Sequence, residues 1–166
     1  MKKLSLALAL WASLPAMAQQ TMRQLFTSMP DSILTTLTTN NRLDMVDFMD
    51  AGMKAEVTNK LEGTSRLVDL QADRLVLQMS EALTIEMLLV DLEEPIDSAP
   101  QAIAVMRTYR LTADTAATEH LVDYYSLRWN RQQALPQLTP DSRRRLPSLP
   151  PSTILRRDEE PFLHTL

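Results

Sequence analysis

From Asp73 to Asn130 the chain alternates apolar and polar residues in four runs, at the period of a half-buried strand. Leu75, Leu77 and Met79 share one side of the first run. Leu83, Ile85, Met87 and Leu89 share one side of the second, because successive strand side chains point to opposite faces. The third run, Ala102 to Leu111, sets Ile103, Val105, Tyr109 and Leu111 on one face, with Arg107 interrupting it. The fourth, His120 to Trp129, sets Leu121, Tyr125, Leu127 and Trp129 against Val122, Tyr124, Ser126 and Arg128. Short polar separators between the runs predict an antiparallel meander, and Ser65 to Leu70 reads as a further short strand ahead of it. Glu81-Ala82 lacks the Asn-Gly chemistry of a tight hairpin and predicts a bulge or longer loop. Asp91 to Pro100, with its acids and two prolines, is expected to end pairing and cross between strands. Ala113 to Thr118 reads as a small polar loop.

Upstream of the meander the pattern is helical. Thr21-Met22-Arg23-Gln24 has capping-box spacing and predicts a short helix to about Ser28. Pro30 suits the first turn of a second helix, with Ile33, Leu34 and Leu37 on its apolar side. Asn41 is placed as the N-cap of a third helix, in which Leu43, Val46, Met49, Met53 and Val57 recur every three or four residues and Met45 and Phe48 widen the stripe. Asp44, Asp47 and Asp50 form a carboxylate-rich side of that helix, with Asp50 spaced to pair with Lys54. A regular helix face is a poor cage for a hard cation, whose oxygen ligands usually come from a loop, so this side is read as solvated. Helices followed by strands give an α+β fold: N-terminal helices packed on an antiparallel meander of four or five strands. The alternative is a β-sandwich or barrel with helices at one end.

The two ends differ in composition from the middle. Lys2 and Lys3, the apolar run Leu4 to Leu14 and Ala16-Met17-Ala18 have the three parts of a secretory signal, predicting cleavage before Gln19. That apolar run is shorter than the roughly 20 residues a membrane-spanning helix needs, so no span is expected once the signal is removed. The division expected is a signal peptide at 1–18, an α+β domain at 19–135 and a Pro-rich extension at 136–166 packed on the domain. Without residues 1–18, 15 Lys and Arg face 21 Asp and Glu, and the net charge moves from −4 to −6. That balance argues against nucleic acid as a partner, since nonspecific binding rests on excess positive charge. The absence of cysteine excludes a disulfide scaffold, a thiol nucleophile and a lipid-modified cysteine anchor. The protein is therefore expected free in the periplasm or secreted. Two glycines, Gly52 and Gly63, make no phosphate-cradling loop.

Little in the sequence names a reaction. The two histidines, His120 and His164, lie in no recognised catalytic arrangement, and without cysteine they make a poor zinc site. No catalytic residue, metal ligand or cofactor is expected. Arg143-Arg144-Arg145 is balanced by nearby acids and reads as a solvated turn. Two of the three tyrosines and one of the two tryptophans fall within six residues, 124–129. Tyr109, Tyr125 and Trp129 are the candidate binding residues, as aromatics able to line a ligand groove, although the continuing apolar alternation favours packing.

Leu25-Phe26-x-Ser28-Met29-Pro30-Asp31-Ser32, Asn41-Arg42-Leu43-Asp44-Met45 and Met53-Lys54-Ala55-Glu56-Val57, with Tyr124-Tyr125 and Trp129 further on, resemble a family of small exported bacterial proteins of unknown function. The resemblance covers about residues 20 to 130. It implies an exported location and a shared fold, and it transfers no catalytic or binding residue. The functional expectation is a noncatalytic exported binding or interaction module with a protein or small-ligand partner. The alternative is a periplasmic hydrolase acting through carboxylates.

Overall fold

The computed structural model describes residues 20–110 and 118–146. The signal pattern at 1–18, most of the loop expected at Ala113 to Thr118, His164 and the tail from Pro147 onward lie outside the described residues.

The first helix, α1 (Met22–Ser28), starts where its capping box predicts: Thr21 Oγ1 accepts from Gln24 N, and Gln24 Oε1 accepts from Thr21 N at 3.0 Å. The second, α2 (Thr39–Asp50), differs from expectation at both ends. Its N-cap is Thr38, not Asn41. Asn41 is the reciprocal partner three residues on, accepting from Thr38 N at 3.1 Å while its own N–H bonds Thr38 Oγ1 at 3.1 Å. Only a cap with such a partner in place satisfies two end donors at once, which explains the shift. At the other end the helix stops before Gly52, which has φ +66°. The Gly52 and Met53 N–H groups donate to the Met49 and Phe48 carbonyls, a Schellman ending. Met53 is consequently exposed rather than part of a buried stripe. Asp50 pairs with Arg23 of α1 at 2.6 Å, and Lys54 pairs with Glu56, not with Asp50.

Residues 30–37 form turns instead of the second helix expected there, although Leu34 and Leu37 still reach the core. The reason lies in Arg42, which is 0% exposed. Its Nε donates to Phe26 O at 3.0 Å, Nη1 to Leu37 O at 3.1 Å and to Asp31 Oδ1 at 2.9 Å, and Nη2 to Met29 O and to Thr39 Oγ1. One rigid donor fork thus ties the Phe26 carbonyl in the last turn of α1 and the Met29 carbonyl just after it to the Leu37 carbonyl at the far end of the turns.

Among the described residues the sheet has six strands in chain order: β1 (Glu56–Thr58), β2 (Thr64–Leu70), β3 (Arg74–Gln78), β4 (Leu83–Ile96), β5 (Ala99–Arg110) and β6 (Thr118–Tyr125). Every neighbouring pair is antiparallel. The extra strand relative to the expected four or five is β1, taken from residues assigned to the third helix. Asp91 to Pro100 does not cross between strands. β4 continues to Ile96 and turns through Asp97 and Ser98, with φ +51° and +65°, into β5, as a two-residue hairpin of mirror-image turn geometry. At the far end, β6 stops at Tyr125 rather than Trp129. Ser126 to Asn130 forms a turn, and Trp129 enters the core from a left-handed backbone (φ +65°).

Alternation along the strands divides the core. On one face Leu67, Leu75, Leu77, Ile85, Met87, Leu89, Ile103 and Val105 join Met22, Leu25, Phe26, Met45 and Val46 of the two helices in a single buried cluster. On the other face Leu88, Val90, Ala102, Ala104 and Tyr124 form a smaller cluster with Leu138 and Leu146, which flank α3 (Pro140–Arg145). Burial raises the pKa of the Tyr124 phenol. Among the described residues no helix is long and apolar enough to cross a membrane.

Candidate functional site

The segment 137–146 covers one end of the second sheet face and leaves a polar half beyond it. Strand register lines up Glu56, Arg66, Gln78, Thr84, Thr108 and His120, one residue from each strand, as a row of direct cross-strand neighbours. Arg66 Nη2 donates to Gln78 Oε1 at 2.9 Å. His120 lies with Nδ1 3.0 Å from Thr108 Oγ1 and Nε2 3.2 Å from Thr118 Oγ1. Among the described residues its ring thus meets hydroxyls, not the carboxylate that orients a catalytic histidine.

The next row holds Val76, Glu86, Met106 and Val122, with Asp69 beside Val76. Here two acids do converge: Arg74 donates from Nε to Glu86 Oε1 at 2.6 Å and from Nη1 to Asp69 Oδ2 at 2.7 Å. The Glu86 hydrogen bond raises the Arg74 pKa further against the opposing effect of desolvation. The single guanidinium balances one of the two negative charges and engages one oxygen of each carboxylate. The arrangement is a charge network tying β2, β3 and β4 together.

The aromatic candidates lie on the helix-covered face. Tyr125 and Trp129 are brought together, with ring centroids 5.7 Å apart and planes tilted by 56°. They are 5% and 7% exposed, and Trp129 Nε1 donates to Leu25 O at 3.2 Å, tying the end of the meander to α1. Tyr109 is half-buried opposite Leu83 and Glu119. It is six residues along β5 from Ile103, the partner of Tyr125, a separation of about 20 Å at strand rise. The three do not form one groove. Between them Asp123 bridges two cations, with Arg107 Nη1 2.5 Å from Oδ2 and Arg131 Nη2 2.5 Å from Oδ1.

Among the described residues no three His, Asp or Glu side chains are grouped to hold a metal ion. Each member of the polar row is visible in the sequence as the polar partner of an apolar residue. Their alignment depends on the β2 bulge between Leu67 and Asp69 and on loop lengths, which the sequence pattern does not fix.

The described residues form a six-stranded antiparallel sheet with α1 and α2 on one face and α3 on the other. The chain belongs to a family described as a protein of unknown function (DUF3256), whose model matches residues 14–148. A search of curated proteins found no match. Among solved structures the chain is similar to a domain of an uncharacterized protein from Porphyromonas gingivalis W83, at 22% identity and a TM-score of 0.51. The match covers 66% of this chain and 52% of that one, so the chain spans about half the length of that structure, and the likeness is one of fold alone.

Proposed function

We propose that the protein is a noncatalytic, exported binding or interaction module whose working surface is the polar half of the second sheet face. The observation that carries this reading is the in-register row Glu56, Arg66, Gln78, Thr84, Thr108 and His120, which offers donors and acceptors from all six strands. Six strands at a spacing of about 4.8 Å make that row roughly 24 Å wide. A broad, flat, polar surface suits a macromolecular partner, because small ligands are usually held in concave, mostly apolar sites. The partner favoured is a protein, since the net charge of −4, or −6 after signal removal, opposes a polyanion such as nucleic acid. Export is supported by Lys2, Lys3, the Leu4 to Leu14 run and Ala16-Met17-Ala18, with release to the periplasm or beyond. The nearest feature to a carboxylate-dependent hydrolase is Asp69 with Glu86, and both are engaged by Arg74.

The test is capture from the exported fraction of the native host by immobilised protein beginning at Gln19, with retained proteins quantified by mass spectrometry. A triple variant, Gln78→Ala, Thr84→Ala and Thr108→Ala, serves as the comparison. Gln78 and Thr108 are half-buried and each carries a side-chain hydrogen bond, so thermal melts of the variant first verify that it is folded. A partner retained by the wild type and reduced at least tenfold by the variant is expected. Identical profiles for the two proteins, or a hydrolytic activity abolished by Glu86→Gln, would overturn the reading.

A further inference from the structure

Signal cleavage and the start of the fold fall within a few residues of each other. Ala16-Met17-Ala18 puts small residues one and three positions before the cut, so the residue left at the new N-terminus is Gln19. Two residues further on the chain is already engaged. Gln20 is exposed, but Thr21 is the N-cap of α1, its N–H donating to Gln24 Oε1 at 3.0 Å and its Oγ1 accepting from Gln24 N. Met22 N donates to Ala72 O at 2.7 Å, in the turn between β2 and β3, and Met22 is fully buried in the cluster of Leu25, Phe26 and the sheet.

A glutamine at a free N-terminus has a reaction open to it that no interior glutamine has. Its α-amine and its side-chain carboxamide belong to one residue, and attack of the amine nitrogen on Cδ closes a five-membered lactam. The N–Cδ bond forms, the Cδ–Nε2 bond breaks, and the departing amide nitrogen takes the proton that the amine gives up and leaves as ammonia. Nothing is oxidised or reduced, and no co-reactant is consumed. Carrying nucleophile and electrophile on the same residue makes the step intramolecular and raises their effective concentration. The amine attacks in its neutral form, and an α-amino group with a pKa of about 7.7–8.0 supplies a usable fraction of that form near neutral pH. The capping box draws on no group upstream of Thr21, so closing the ring at residue 19 disturbs none of its bonds.

We infer that Gln19 of the exported protein is a modification site, converted to pyroglutamate once signal cleavage frees its amine; the inference rests on the export reading above. The lactam removes the terminal positive charge, as acetylation does, and with it the amine by which an aminopeptidase grips a chain. Proteolysis concentrates at termini, and here little chain separates the terminus from the fold. Trimming of Gln19 and Gln20 brings an exopeptidase to Thr21, which supplies the hydroxyl and one N–H of the capping box, and then to Met22 in the core. The carbonyls of α1 also accept from Arg42 at Phe26 and from Trp129 at Leu25, so damage to the start of this helix reaches both the turns after it and the end of the meander.

The experiment purifies the protein exported by its native host, dimethylates the primary amines of the intact chain, digests it and reads the N-terminal peptide by mass spectrometry. Labelling before digestion ensures that only a terminus already closed escapes it. A Gln19→Asn variant is the control: asparagine keeps the carboxamide but is one methylene shorter, and its lactam would be a strained four-membered ring. The wild type is expected to start at residue 19, unlabelled and lighter by one ammonia, and the variant to start at the same position with its amine labelled. During incubation with a broad-specificity aminopeptidase the wild type should keep its N-terminus and its thermal melt, while the variant is shortened severalfold faster. A wild-type chain that starts at Gln19 with its amine labelled overturns the modification and leaves export standing. A chain that starts anywhere else overturns the export reading and the modification with it. Equal trimming of the two proteins overturns the protective role.

Discussion

Arg42 is fully buried while its one charged partner, Asp31, is 45% exposed, and this asymmetry decides what the arginine contributes. If the ion pair mattered most, removing either partner would have a similar effect. An ion pair with one partner so open to solvent is screened and contributes little. The buried side of the interaction is different: replacing Arg42 by Met leaves the carbonyls of Phe26, Met29 and Leu37 without their donors. Each orphaned carbonyl costs about 1–3 kcal/mol, and relief of the buried guanidinium's desolvation offsets several kcal/mol of the total. Three carbonyls at that cost sum to about 3–9 kcal/mol, and the offset leaves about 3 kcal/mol for Arg42→Met, with a clearly smaller loss for Asp31→Ala. Urea unfolding followed by the fluorescence of Trp129, the sole tryptophan of a chain beginning at Gln19, measures both. With a slope of about 2 kcal/mol per molar urea, Arg42→Met should move the midpoint down by about 1.5 M and Asp31→Ala by clearly less. Arg42→Lys should fall nearer to Met than to wild type, because one ammonium cannot span three carbonyls. Equal losses for Arg42→Met and Asp31→Ala would refute the carbonyl-clamp account and restore the ion pair.

Three further expectations follow from the packing and the electrostatics. Trp129→Ala should cost about 3–5 kcal/mol and Trp129→Phe about 1 kcal/mol for the lost bond to Leu25, and acrylamide should quench wild-type Trp129 poorly; efficient quenching with a tolerated Ala would contradict its 7% exposure. Gly52→Ala should cost about 1–2 kcal/mol from the left-handed backbone alone, because a Cβ there meets nothing within 4 Å; a neutral result in thermal melts would mean the helix end can rearrange. The hydrogen bond from Arg42, then that from Thr39, holds the Asp31 pKa below its usual value, and the Arg23 hydrogen bond does the same for Asp50. With folded-state pKa values below unfolded ones, their stabilisation is present above about pH 4 and lost as pH falls through the folded values; Asp31→Asn with Asp50→Asn should flatten stability below pH 4, and an unchanged acid limb in pH-dependent melts would contradict the pairing.

The parts of the fold legible in the sequence are those governed by short-range periodicity. Leu75, Leu77 and Met79 share their face with Ile85, Met87 and Leu89, as alternation requires, and the Thr21 capping box sits where its spacing places it. The periodicity runs past the helix end because Met53 and Val57 continue a four-residue spacing that Gly52 cuts. The signal was present in that glycine, a helix-ending residue just past the last periodic position. Arg42 was hidden for another reason: a charged residue on a helix is usually exposed, and only the fold around it reveals three carbonyls in need of donors. The pairing of Leu92 with Leu138, 46 residues apart, and the polar row across six strands depend on register and loop closure, which no local pattern encodes. Tyr125 and Trp129 were legible as neighbours, but as a pair on one strand; the turn at Ser126 that brings Trp129 beside Leu25 was not.

Which sheet face a partner meets is the central claim, and the methionines report on it directly. Met106 lies on the second face in register with Glu86 and Val122, whereas Met22, Met45 and Met87 lie in the helix-covered cluster. Methyl NMR of protein labelled at methionine, titrated with the partner captured from the exported fraction, should shift the Met106 resonance and leave those of Met22, Met45 and Met87 in place. Shifts at the helix-face methionines with Met106 unmoved would contradict the account.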